Sequence, residues 1–342
     1  MAMVLTTRKE QILTALIEEY IRTGEPVGSK WLMDKMDSTV SSATIRNEMA
    51  DLAAMGYLDQ PHTSAGRVPT PQAFRLYVDK LMKKRKLSEN TRRYIDERLE
   101  RATDPDVLME EASQILTETT GCAAVTTTPQ EEQMLVRRVE VMVVSPHVVA
   151  MMLLTGSGVL RSRVCRLPLA VTTAQLTETV NLLNENFVGQ PLSSVTLPAV
   201  QNLLLELGDS ALVCAPLLTA FHELAQTCAE AEIRLKGQLN LLRSPDYHPD
   251  NARSLLGFLN EQEQLGRMLS GHTGGLRVVL GNESLQPELA GSSIIVTRYA
   301  PRNISGSIGL IGPLRMDYAT AIAELEYITQ TVERILGQLI EE

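Results

Sequence analysis

With 342 residues the chain is long enough for two or three domains, and its 44% hydrophobic, 21% charged and 4% aromatic content describes globular domains whose cores are built from Leu, Val, Ile, Met and Ala. A formal net charge of −9 argues against a protein that coats nucleic acid without regard to sequence. No run approaches the roughly eighteen apolar residues of a membrane span; MAMVLTTRKEQ has no apolar stretch after its basic residues and does not read as a secretory signal; and Cys122, Cys165, Cys214 and Cys228 lack paired spacing, which excludes a disulfide framework and points to a reducing, cytoplasmic setting.

From the N-terminus, Ile12, Leu13, Leu16, Ile17, Tyr20 and Ile21 recur at helical period, and Gly24 and Pro26 stop that helix. Ser29 caps a second short helix carrying Trp31, Leu32 and Met33. In a third, Ser41 or Ser42 is the cap, and Ile45, Met49, Leu52 and Ala53 form one apolar stripe that ends at Gly56. Its other face carries Ser42, Ala43, Thr44, Arg46, Asn47 and Ala50. Small residues let such a helix approach a groove floor, Arg fits guanine O6/N7 and Asn fits adenine N6/N7. Three short helices in about fifty residues, the third with a polar face, form a helix-turn-helix layout. Tyr57–Gln60 and Arg67–Pro69 then pair as two short strands around a turn from Pro61 to Gly66, presenting His62, Thr63, Ser64 and Arg67. The bland alternatives are an amphipathic helix with a solvated face and an Arg67 that only forms a salt bridge within its domain. Thr70 and Pro71 start the next helix, which buries Phe74, Tyr77, Val78 and Leu81 and ends in Lys83, Lys84, Arg85 and Lys86. That run reads equally as a solvated helix end suited to the helix dipole or as an added phosphate contact.

Residues 88–120 read as a helical linker, with caps at Ser88 and Asp104. From 121 the period becomes that of strands: CAAVTTT (122–128), MLVRRVEVMVVS (134–145), HVVAMMLLT (147–155) and VLRSRVCRL (159–167), punctuated by Ser145-Pro146 and Gly156-Ser157-Gly158 as an antiparallel meander. Residues 172–270 are mostly helical, strands return at 276–281, 293–300 and 305–313, and a closing helix runs from about Asp317 to Leu339. This order suggests a sheet domain interrupted by a helical insertion. Charge is uneven: residues 1–86 hold 13 Lys+Arg and 10 Asp+Glu (+3), and the remainder 19 and 31 (−12), a mildly basic head on an acidic body.

The stretches EPVGSKWL (25–32), SSATIRNEMADLAAMGYLDQPHTSAGRVPT (41–70), AFRLYVD (73–79), GLRVVLGNES (275–284) and GSIGLIGPLRMDYATAIAELEYI (306–328) resemble the HrcA family of heat-inducible transcription repressors. The resemblance implies an α+β multidomain fold: a winged-helix DNA-binding head (1–87), the helical linker (88–120), a GAF-like antiparallel sheet domain (121–170 and 251–342) and an inserted dimerisation domain (171–250). It implies a homodimeric repressor of chaperonin and chaperone operons that binds the inverted-repeat CIRCE operator in double-stranded DNA. It further implies that the GroE chaperonin maintains the active fold.

On this reading Arg46 and Asn47, with Ser42 and Thr44, meet bases or nearby phosphates in the major groove. His62, Ser64 and Arg67 meet the backbone or minor groove, and Ser29 and Lys30 help fix the phosphates. Other constellations carry no chemistry. His222-Glu223 with Cys214 and Cys228 matches no metal-ligand spacing, and Gly306 to Gly309 lacks the pattern of a phosphate cradle. No acid/base or nucleophile set suggests an enzyme, and no cofactor or metal is implied. The alternative is a ligand-responsive metabolic regulator with an effector in the GAF-like domain.

Overall fold

The computed structural model describes residues 5–36, 41–62, 66–131, 134–229, 232–247, 249–270, 275–284, 286–302 and 304–339. The head comprises α1 (Thr7–Thr23), α2 (Ser29–Lys35) and α3 (Ser42–Ala54), the antiparallel pair β1 (Leu58–Asp59) and β2 (Val68–Pro69), and α4 (Pro71–Leu76). Helix α1 stops at Gly24, whose φ of 76° is a left-handed end that glycine adopts without strain. A single π-turn, Tyr77–Leu81, extends α4, and Met82 is already extended. The basic run 83–86 therefore lies beyond the helix that sequence periodicity carried through it.

Next come α5 (Glu89–Leu99) and α6 (Pro105–Thr120). Residues 88–120 are more than a linker. Helix α6 buries Leu108, Met109, Ala112, Ile115 and Leu116 in the same core as the head.

The remaining elements are β3 (Ala123–Thr127), β4 (Gln130–Glu131), β5 (Val136–Ser145), β6 (Val148–Thr155), β7 (Leu160–Arg166), α7 (Thr173–Phe187), α8 (Leu197–Glu206), α9 (Ala211–Ala229), β8 (Ile233–Lys236), α10 (Gln238–Arg243), α11 (Pro249–Leu259), α12 (Gln262–Ser270), β9 (Arg277–Leu280), β10 (Ser292–Tyr299), β11 (Ile304–Pro313) and α13 (Tyr318–Leu339). The larger sheet has the order β8-β3-β11-β10-β9, with β4 also on β11, and all its pairs are antiparallel. Helices cover both faces. Ala124, Ile295, Ile308 and Leu310 pack towards α6 and α13, and Val125, Ile294, Val296 and Ile311 join the core of α10, α11 and α12. Double coverage explains why SIIVTRYA is a nearly continuous apolar run rather than an alternating one.

The meander is present, but in a different sheet from the one expected. Strands β5, β6 and β7 form a separate three-stranded sheet, while β8 and α10, expected inside the insertion, belong to the larger sheet and its cover. The interruption thus runs from about residue 134 to 229, not 171 to 250. Alternation in HVVAMMLLT marks one buried and one open face; it does not say which helices cover the buried one. Val149, Met151 and Leu153 pack with Leu183, Leu217 and Phe221 of α7 and α9, and Phe187 meets Phe221 at 5.1 Å between ring centroids. Among the described residues no helix is long and apolar enough to cross a membrane.

Candidate nucleic-acid interface

Helix α3 is set by its first turn. Ser41 is the cap: its Oγ accepts the Thr44 N–H at 3.2 Å and lies 3.0 Å from Thr44 Oγ1. Ser42 does something else. Its Oγ lies 3.2 Å from Ser29 Oγ, which ties the first turns of α2 and α3 together and leaves Lys30 exposed beside them. On the inner face Ile45, Met49 and Leu52 are buried. Lys9 of α1 holds Glu48 at 2.7 Å and Asp51 at 3.0 Å, and these carboxylates push the Lys9 ammonium above its ordinary value.

With the inner face fixed, Ala43, Arg46, Asn47 and Ala50 point outward and are exposed. Among the described residues, the side chains of Arg46 and Asn47 have no hydrogen bond or ion pair. An Arg and an Asn one residue apart, unpartnered and flanked by alanines, match a helix that spends its polar groups on an external acceptor pattern.

The wing is held from behind. Val27 N–H donates to Arg67 O and Arg67 N–H donates to Val27 O, each at 2.9 Å, so residue 27 acts as a third strand against the β-pair. A Cβ on Gly66 would lie 2.4 Å from Val27 O, so only glycine permits this approach. Thr70 caps α4 and also donates to Gly56 O at 2.7 Å, fixing the wing to the end of α3. Gly56 has φ 81°, the left-handed residue that the sequence places there. His62 is exposed and the Arg67 side chain half-exposed. Among the described residues Arg67 has no ion pair, so the intradomain salt bridge finds no partner. Ser64 and Thr63 lie outside the described residues.

The basic run takes neither of its two sequence readings cleanly. Lys84 pairs with Glu326 at 3.1 Å, and Arg85 pairs with Asp317 at 3.2 Å and donates to Thr320 Oγ1 at 2.8 Å. These partners lie on or next to α13, so this part of the run faces the body. No sequence signal pairs residue 85 with residue 317.

The His222 neighbourhood is structural. His222 Nδ1 lies 2.8 Å from Val195 O. Burial pushes the Cys214 thiol up, and that of Cys228 to about 11, so neither favours the thiolate a metal needs. Among the described residues no group of three His, Cys, Asp or Glu could hold a metal ion.

With this geometry in hand, the comparisons agree at three levels. Residues 4–81 match the family model "Winged helix-turn-helix transcription repressor, HrcA DNA-binding", and residues 106–322 match "HrcA protein C terminal domain". The chain is 32% identical to the heat-inducible transcription repressor HrcA of Pelotomaculum thermopropionicum, covering 99% of each. It is 34% identical to that of Mycolicibacterium gilvum over 96% of this chain and 98% of the relative. A crystal structure described as a hypothetical protein superposes with a TM-score of 0.68 at 22% identity, covering 98% of this chain and 100% of that one.

Proposed function

Because this chain belongs to the HrcA family of heat-inducible transcription repressors, we propose that it represses chaperonin and chaperone operons by binding an inverted repeat of the CIRCE type as a homodimer in the cytoplasm. Its coarse activity follows from the family: it is a DNA-binding transcription repressor, not an enzyme. The observation that carries the finer reading is the outward face of α3, where Arg46 and Asn47 stand exposed over a buried stripe and beside a braced wing. In this assignment Arg46 and Asn47 read base edges, and Ser29, Lys30, Ser42, Thr44, His62, Ser64 and Arg67 serve the backbone. Ser42 and Thr44 act mainly by positioning, since their hydroxyls are engaged with Ser29 and Ser41.

The dimer is supported by the outer face of the three-stranded sheet. Register places Met142, Ala150 and Val164 in one row and Leu154 and Leu160 in another. Met142, Leu160 and Val164 are 57%, 53% and 67% exposed although their strands pack a core on the reverse side. An exposed apolar sheet face suits a second copy of itself, and Arg138 and Glu140 at its edge are paired with each other at 2.7 Å. A two-fold dimer in turn requires a two-fold operator.

Control by the GroE chaperonin is the remaining part of the proposal. Its test is a refolding experiment: protein is heated, cooled with or without chaperonin and ATP, and titrated with operator DNA. Recovery of binding only with chaperonin supports the feedback reading. Full recovery without it removes chaperonin from the account and leaves the repressor assignment standing.

A further inference from the structure

Residues 306–328 lie far in sequence from the DNA-binding head, yet this block meets the head at several points. Arg315 donates from Nη1 to Ile21 O at 2.9 Å, one of the last carbonyls of α1. Its other two nitrogens hold Asp246 at 2.8 and 3.0 Å as a bidentate pair. The guanidinium lies so close to Gly24 that a Cβ there would sit 3.1 Å from Cζ. On the other flank Arg75 of α4 reaches out of the head. Its Nε and Nη2 hold Glu283 at 2.9 and 2.5 Å, Nη2 also donates to Val278 O at 2.7 Å, and Nη1 pairs with Asp79 at 3.1 Å. Glu283 is itself braced, accepting the Leu280 N–H at 2.9 Å. Burial pushes its carboxyl up, but Arg75 and that N–H together hold it below its ordinary value. Between the two arginines Phe74 packs on Tyr318 at 6.0 Å and on Tyr20 at 6.5 Å, with Tyr318 anchored to Ser293 at 2.8 Å.

Two forked arginines, one from each side, and a fully buried ring pair leave the head no free rotation about its tether. The docking also leaves the reading face of α3 open. We propose that Arg75 with Glu283, and Arg315 with Ile21 and Asp246, are positioning residues that fix the head on the body, so that the body sets the separation and phase of the two half-sites the protein accepts. The inference rests on the homodimer and inverted-repeat reading above. A tethered head would tolerate changes in spacer, because each added base pair turns the second half-site by only about a tenth of a helical turn. A fixed head does not.

The test uses the full chain and operators whose half-sites are separated by the optimal spacer or by one to three base pairs more or fewer. The wild type is expected to lose at least tenfold in affinity at two base pairs from the optimum. The Arg75→Ala/Arg315→Ala double variant is expected to vary less than threefold across the series, with binding to an isolated half-site unchanged. The milder Glu283→Gln is expected to fall between them. A double variant that stays folded, by Trp31 fluorescence, and keeps the wild-type spacer profile overturns the proposal.

A DNA-free readout separates failure of this proposal from failure of the operator reading. The four native cysteines are buried, so spin labels on Asp59→Cys in the head and Glu288→Cys in the body, with the labelled chain diluted in excess unlabelled chain so that a dimer carries one labelled protomer, report one distance. That distance is expected to be narrowly distributed in the wild type and broad in the Arg75→Ala/Arg315→Ala double variant. A broad wild-type distribution, or a narrow one in the double variant, rejects the fixed junction whatever the DNA result. A narrow wild-type distribution without preference for repeats over half-sites instead rejects the operator reading.

Discussion

Gly66→Ala tests the wing directly. The new methyl carbon would stand 2.4 Å from Val27 O, 2.5 Å from Val27 C and 2.9 Å from Pro26 C, all backbone atoms that no rotamer change can move aside. A carbon and a carbonyl oxygen need about 3.3 Å, so residues 66–69 must move outward by roughly 0.9 Å. Val27 is 3% exposed and cannot retreat into the core behind it. The movement breaks the two reciprocal Val27–Arg67 hydrogen bonds of 2.9 Å. At about 1 kcal/mol net for each bond, plus a similar amount for partial exposure of Val27, the cost is about 2–3 kcal/mol. Trp31 is the only tryptophan and sits in α2, so its fluorescence follows the head in a urea titration. With a slope of about 1–3 kcal/mol per molar, the midpoint is expected to fall by about 0.7–3 M, and operator affinity should fall as Arg67 shifts. An unchanged midpoint and affinity would refute the close approach and, with it, the braced wing.

Arg46→Ala removes an exposed side chain that has no partner among the described residues. Head stability should stay within about 0.5 kcal/mol, while each half-site loses about 1–3 kcal/mol of binding, or at least ~30-fold for a two-fold complex; equal operator titrations would strike Arg46 from the site. Lys30→Gln should shallow the slope of log affinity against log salt by about one unit per half-site contact, whereas Lys84→Gln, whose charge is engaged by Glu326, should leave it unchanged; the reverse pattern would move the phosphate contact to the basic run. Glu324 is 5% exposed and its Oε2 has no hydrogen-bond partner. Burial raises its pKa above 4.5, so its ionised form is penalised in the folded state: stability is greatest below the unfolded pKa and declines as pH rises through the raised folded value. Glu324→Gln should therefore stabilise the body by about 1–3 kcal/mol at neutral pH, with the gain fading as pH falls through the raised folded value and gone below about pH 4.3; a pH-independent effect in thermal melts would contradict the buried-charge explanation.

The head was legible because its signals are local. Caps, a 3.6-residue stripe and the turn glycines lie within a few residues of what they control, so Thr70, Gly56 and the face of Arg46 and Asn47 fall where the sequence puts them. Where two neighbours compete for one role, sequence is ambiguous: Ser41 and Ser42 are equivalent caps on paper, and only the approach of Ser29 distinguishes them. The body was less legible because its decisive contacts are long-range. Alternation in 134–167 announces an antiparallel sheet with one buried face, but the partner of that face lies in α7 and α9, and nothing local excludes the β3 sheet. Nothing in the local sequence marks Arg75, Arg85 or Arg315 as joining the head to the body. Their carboxylate partners Glu283, Asp317 and Asp246 stand more than 60 positions away, with no spacing to betray them. Helix α6 looked like a connector because it belongs to a stretch, 88–118, dominated by Glu, Arg and Leu.

The central claim is that this chain recognises a two-fold DNA sequence through α3 and its wing. The most direct measurement is binding of purified protein to an inverted-repeat operator and to a scrambled duplex of equal length and composition, at fixed near-physiological salt. The account predicts affinity for the repeat at least 10³-fold above the scrambled duplex, with two protomers bound per repeat. Equal affinity for the two duplexes, falling together as salt rises, would contradict it.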